Sequence, residues 1–351
     1  MGLISNEEVR IEVAGAVLAG TLLVPAGAGP HPCLLLVTGS GANDRDETVC
    51  GHTPFRTIAE YFATRGYAVL RWDDRGVAGS TGDARAQDFD GYVADIVATH
   101  RWLEGHPAVD PRRIIPFGHS EGGLTAAAAG ARVGAWAVVM LAGPSVPIEG
   151  MLHGQARAIS EASGATAAQI DHEHRMNVQV FALAQSERAQ EAVQPEIEEV
   201  IRSHLRTWPD LPEPDPGAVD DNARLMASVV AAPAYRSLLR KDPAAIIGAC
   251  SGPLLGVYGG KDTQVLGADN ADAFRAITAG HGCATVMLFP AHNHLFQLAG
   301  TGAIFEYESL PPGPDAAVLR AIADWLAGVE SSADTPGQDS PGAPDADAPC
   351  L

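Results

Sequence analysis

Apolar residues in this chain fall into short runs that read as strands, separated by stretches where they recur at helical spacing. Residues 8–13 and 17–24 are rich in β-formers, and Ala14-Gly15-Ala16 between them predicts an antiparallel hairpin. Residues 33–38 are a near-continuous apolar run, the signature of a strand buried on both faces. That run ends in Gly39-Ser40-Gly41 and a polar loop over 42–52. Thr53-Pro54 predicts a helix opening, with Thr as cap and Pro in the first turn. Phe55, Ile58 and Phe62 fall on one face of this helix, and Gly66 closes it. Residues 67–72 predict the next strand, and 88–104 a helix carrying Tyr92, Ile96 and Leu103. A buried strand from Ile114 then runs into an Ala-rich helix reaching about Arg132, and 137–141 is another strand.

Strands alternating with helices in this way imply a mostly parallel sheet covered by helices on both faces. The rhythm stops between about 144 and 247, where no strand pattern occurs, 170–184 and 187–207 look helical, and 209–216 is a Pro/Asp loop. This stretch is expected to form a helical cap over the C-terminal edge of the sheet. Strands at 253–258 and 285–289 flank a helix at 268–279. A final helix over 315–329 has Val318, Ile322, Trp325 and Leu326 on its buried stripe. The expected organisation is a first core segment at 1–143, a cap at 144–247, a second core segment at 248–330 and a disordered Pro/Ser/Gly tail at 331–351.

Composition narrows the picture. A chain of 351 residues that is 46% hydrophobic can bury one large core with an insertion. No apolar run approaches the ~18 residues of a membrane span. The first residues show neither a signal peptide nor a complete myristoylation pattern. Five scattered cysteines argue against a disulfide framework and against zinc spacing, so a cytoplasmic location is expected. The net charge of −20 speaks against nucleic acid and anionic membrane as partners. Residues 330–351 hold five acids and no base, but the body stays acidic without them. No cofactor or metal is expected. Gly39-Ser40-Gly41 does not complete a dinucleotide fingerprint, and His172 and His174 in Asp171-His172-Glu173-His174 point to different sides of a helix.

The chemistry centres on Gly118-His119-Ser120-Glu121-Gly122, a G-x-S-x-G pattern between a strand and a helix. A sharp turn there lifts the Ser120 hydroxyl above the sheet as a nucleophile. A serine needs a base, and the base an orienting carboxylate. Asp262 follows strand 253–258 in Gly259-Gly260-Lys261-Asp262. His292 and His294 follow strand 285–289. His294 is preferred because it sits further out and Leu295-Phe296 can anchor it. Oxyanion donors are expected from the backbone N–H groups of Glu121 and Ser40, with Gly41 as fallback. The Glu121 side chain suits the first turn of a helix; its alternative role is a contact to a substrate amine or a hydrogen bond in the cleft. The charged loop at 43–47 is expected to order itself through ion pairs, with contact to substrate as the alternative, and Asp73 and Arg75 to brace the loop after their strand. Substrate contacts are unassigned, with the cap at 144–247 suspected; Met151, Met176 and Met226 suit either an apolar lining or helix packing.

The chain resembles the bacterial α/β-hydrolases of the dienelactone-hydrolase-like and serine-aminopeptidase-like esterase branch. The resemblance rests on Thr38-Gly39-Ser40-Gly41 with Asp44-Arg45-Asp46-Glu47, and on Trp72-Asp73-Asp74-Arg75-Gly76 with Ser80-Thr81-Gly82. Gly118-His119-Ser120-Glu121-Gly122-Gly123, Gly259-Gly260-Lys261-Asp262 and Asn293-His294-Leu295-Phe296 complete it. It implies an α/β-hydrolase fold with Ser120 as nucleophile, Asp262 as orienter and His294 as base. Two departures stand out. Thr38 replaces a His common in relatives, and Ala78 replaces a frequent Gly. The implied activity is hydrolysis of a small-molecule carboxylic ester through an acyl-enzyme. The alternatives are a peptidase or aminopeptidase, a thioesterase, and a non-hydrolytic acyltransferase or cyclase.

Overall fold

The computed structural model describes residues 4–210 and 215–333. The chain opens with the hairpin β1 (Ser5–Val13) and β2 (Ala16–Val24), paired antiparallel as the β-former runs predict. Then come β3 (His31–Val37), α1 (Pro54–Ala63), β4 (Ala68–Trp72), α2 (Phe89–Glu104), β5 (Val109–His119), α3 (Glu121–Val133) and β6 (Val138–Leu141). After a long helical stretch, β7 (Leu254–Gly259), α10 (Gly267–Ile277), β8 (Ala284–Phe289) and α11 (Ala316–Ala333) complete the fold.

These strands form one sheet in the order β1-β2-β4-β3-β5-β6-β7-β8. All neighbours from β4 to β8 are parallel, so their C-terminal ends share one edge. The reason lies in the double-sided burial of the strands. In β3, Cys33, Leu35 and Val37 join the core layer that includes α2 and α3, while Leu34 and Leu36 join the layer with α1 and α11. Only strands covered on both faces profit from such continuous apolar runs. The chain therefore has the α/β-hydrolase architecture, a mostly parallel sheet between helices.

Between β6 and β7 the described residues form six helices where sequence spacing suggests two. They are α4 (Ile148–Ala162), α5 (Ala167–Ala184), α6 (Gln190–Arg206), α7 (Pro216–Val230), α8 (Pro233–Leu239) and α9 (Pro243–Gly248). The missed ones bury little that a pattern can show. α4 buries only Ile148, Met151 and Leu152, all near its start, and α7 buries Val219, Ala223 and Ala227, a stripe of mostly small residues. Within 209–216, read as a loop, 211–214 lie outside the described residues and Asp215 caps α7 by accepting from Ala218 N at 2.8 Å. Thr53 precedes α1, but its side chain makes no capping bond, so Pro54 alone marks that start. α11 runs to Ala333; the rest of the tail, 334–351, lies outside the described residues. Among the described residues no helix is long and apolar enough to cross a membrane.

Candidate active site

β5 delivers Ser120 to the C-terminal edge of the sheet. Its backbone has φ 55° and ψ −128°, a strained conformation outside the favoured regions, and α3 begins at the next residue. The turn closes because its neighbours lack side chains. A Cβ on Gly118 would strike the Gly122 carbonyl, and one on Gly122 would strike the carbonyls of Val37 and Thr38. The start of α3 places the Glu121 N–H at the positive end of a helix, where developing negative charge is stabilised.

Asp262 follows β7 and His294 follows β8. The structure brings these two together: Nδ1–H of His294 donates to Asp262 Oδ2 at 2.7 Å. The other Asp262 oxygen accepts from the backbone N–H groups of Gln264 (2.7 Å) and Val265 (2.9 Å), which holds the carboxylate still. With Nδ1 donating, Nε2 is left as the basic nitrogen. Asn293, fully buried, braces the histidine turn by accepting from the N–H groups of Leu295 and Gln297. His292 instead packs edge-on against Phe289, with Asp315 4.0 Å away.

The loop after β3 is tied down by three carboxylates, those of Glu47, Glu121 and Asp74. Gly39 N–H donates to Glu47 Oε1 at 2.6 Å, so this N–H is committed. The Ser40 hydroxyl donates to Glu121 Oε2 at 2.6 Å and thereby links the two residues expected to supply oxyanion donors. Asn43 Nδ2 reaches the carbonyl of Gly39, and Thr38 Oγ1 donates to Asp74. The Thr38 departure from the resembled pattern thus supplies a hydroxyl to a buried acid. The charged residues of the loop form ion pairs. Arg45 forks onto Asp73 through Nε and Nη2, and Asp46 meets Arg56 and Arg71. Arg75 pairs with Asp95 through Nε and Nη2.

Sequence reasoning passed over one buried pair beneath this site. His119, next to Ser120, has Nδ1 3.0 Å from Glu47 and Nε2 3.0 Å from the carbonyl of His294. The His294 carbonyl and an ionised Glu47 are both acceptors, an environment that favours the ring protonated at both nitrogens. Burial opposes that charge, but Glu47 and the His294 carbonyl outweigh it and leave the His119 pKa raised. One ring therefore joins the loop after β3, the Ser120 turn and the His294 turn.

The Glu121 side chain is buried in the cleft rather than held in solvent at the helix start. Burial, only partly offset by the Ser40 hydrogen bond, raises its pKa. Of the three methionines noted in the sequence, Met151 and Met176 are buried in the core layer that α2 and α3 also build, while Met226 is 38% exposed. His172 turns toward His204 and Trp208, whereas His174 packs edge-on against His153, so the two do not converge. Among the described residues no group of three or more His, Cys, Asp or Glu is arranged to hold a metal.

Comparison with known proteins follows the same line. The family model of X-Pro dipeptidyl-peptidase (S15 family) matches residues 14–288. Esterase EstD of Thermotoga maritima is 27% identical over 325 residues, covering 92% of this chain and 68% of its own. The Pyrococcus furiosus esterase PF2001 superposes with a TM-score of 0.58 at 15% identity, over 92% of this chain and 90% of that one. The α/β hydrolase GrgF from Penicillium sp. sh18 superposes with a TM-score of 0.54 at 17% identity, over 92% of this chain and 98% of that one. At such identities the structural likeness speaks for the fold.

Proposed function

The chain belongs to the X-Pro dipeptidyl-peptidase (S15) family, and from that premise we propose a serine hydrolase that cleaves small-molecule carboxylic esters through an acyl-enzyme. The observation that carries this reading is the hydrogen bond from His294 Nδ1 to Asp262, set on the same sheet edge as the strained Ser120 elbow. Nε2 of His294 takes the Ser120 proton as Oγ attacks the carbonyl, and Asp262 stabilises the imidazolium. The N–H groups of Glu121 and Ser40 receive the oxyanion, each worth about 2.7–4 kcal/mol in the transition state. His294 then returns the proton to the leaving alcohol, and water releases the acid by the same route in reverse. The helices between β6 and β7 act as the cap over this cleft.

Ester cleavage is supported by the similarity to EstD over most of the chain. The family description favours a second reading, release of a dipeptide ending in proline. The test compares p-nitrophenyl butyrate with an Ala-Pro p-nitroanilide, using wild type, Ser120→Ala, Asp262→Asn and His294→Ala. We expect ester turnover that falls at least ~10³-fold in each variant, with fluorophosphonate labelling lost in Ser120→Ala. Turnover of the anilide alone would establish the peptidase reading, and a wild type inert to both substrates and to the probe would end the serine hydrolase reading.

A further inference from the structure

A pocket opens on the β3–β4 side of the nucleophile, between the ends of those strands and helices α2 and α3. Its walls include Trp72, Asp74, Arg75, Tyr92, Asp95 and Glu121. Gly39 also lines it, and a Cβ on Gly39 would lie 3.1 Å from Ser120 Cβ, so the pocket starts beside the reacting hydroxyl. The charges do not balance. Arg75 is spent on Asp95, which also accepts from Gln87 Nε2 at 2.8 Å. This leaves Asp74 and Glu121, both at least nine-tenths buried. Asp74 accepts only neutral donors, the Thr38 hydroxyl and Asn43 N–H. Glu121 Oε2 accepts from Ser40, while its Oε1 is buried without a hydrogen-bond partner. A carboxylate oxygen removed from water and left unpaired is costly, and a donor supplied by a ligand would remove that cost.

We propose that this pocket binds a protonated amine in the acyl part of the substrate, held by Glu121 and Asp74 and flanked by Trp72 and Tyr92. The inference rests on the serine hydrolase reading. The acyl assignment follows from the strand order: the leaving group must be protonated by His294, at the β8 end of the sheet, and the pocket lies on the opposite side of β5. Because Glu121 adjoins the nucleophile, the amine sits only a few bonds from the reacting carbonyl, as in a short ω-amino acid. Aromatic walls favour a cation over a neutral group. Burial pushes Asp74 up to about 7 and raises Glu121, and a bound cation would favour the charged form of both.

The test uses three p-nitrophenyl esters of nearly equal size, those of β-alanine, 3-hydroxypropionic acid and butyric acid. We expect kcat/KM for the β-alanyl ester to exceed that of the butyrate about tenfold or more, as a charge-assisted hydrogen bond predicts. In Glu121→Gln the ratio of these two should collapse toward one, whatever the absolute rates, and Asp74→Asn should lower it in the same direction. An equal rate for the hydroxy ester would show a neutral donor site and overturn the cation assignment. A ratio near one in wild type, or one unchanged in both variants, would also overturn it. Butyrate hydrolysis that is lost in Ser120→Ala keeps the hydrolase reading standing in either case. Should Glu121→Gln fail to fold, the wild-type ratio and Asp74→Asn still decide.

Discussion

At Ser120 a single residue carries backbone strain for the sake of its hydroxyl, and Gly118 and Gly122 make that strain affordable by leaving room. This was legible in sequence, because glycine spacing reports local sterics. Ala78 shows the opposite case. Its φ of 43° lies in the left-handed region, in the loop where the resembled family often has glycine. An L-residue there costs roughly 1–2 kcal/mol, partly regained through the lower entropy of the unfolded chain. Ala78→Gly is therefore expected to stabilise the protein by about 0.5–1 kcal/mol, read as a higher urea midpoint at unchanged slope. Ala78→Val should move the midpoint the other way. The Glu121 side chain was not legible: a helix start suits an acid in solvent equally well, and only packing shows that this one is buried.

Among elements, the informative feature is how three loops from distant parts of the chain are joined. Glu47 holds Gly39 and His119, and His119 holds the His294 carbonyl. The raised pKa of His119 means that this pair contributes stability that is complete below the ordinary histidine value of about 6.5. That contribution is lost as pH rises through the folded-state value. Glu47→Gln should thus destabilise most near pH 6, by about 1–3 kcal/mol, with the difference from wild type narrowing toward pH 9. Denaturant titrations at several pH values test this, and a constant difference would show that the pairing of His119 with Glu47 does not titrate in that range. The same variant should lower kcat about tenfold, since both the donors and the base lose a support. Sequence spacing identified the charged loop as a brace but could not pair Glu47 with a residue 72 positions away.

For the whole molecule, the six-helix insertion and the sheet share one apolar core. Val180 and Ile197 belong to the same buried layer as Leu124 and Leu254, and Phe89 N–H donates to Ser237 Oγ at 2.8 Å across that junction. Elements that share a core lose their burial together, so a single cooperative transition is expected in scanning calorimetry. Two resolved transitions would mean that the insertion folds as a separate unit.

Periodicity and turn chemistry alone determined the order of strands and helices in the core, the hairpin at the start, and Ser120 as the residue lifted from the sheet. They could do so because buried strands, capped helices and glycine-bounded turns are written in residues close together along the chain. Most of the insertion escaped them, since its helices bury alanines and short apolar patches whose spacing is ambiguous. Tertiary structure decided what depends on distant segments meeting. It set His294 rather than His292 against Asp262, placed the His119 ring between three loops, and left a buried carboxylate oxygen of Glu121 unpaired beside Ser120. The burial of a polar group and the pairing of charges depend on segments far apart along the chain, and no local pattern records them.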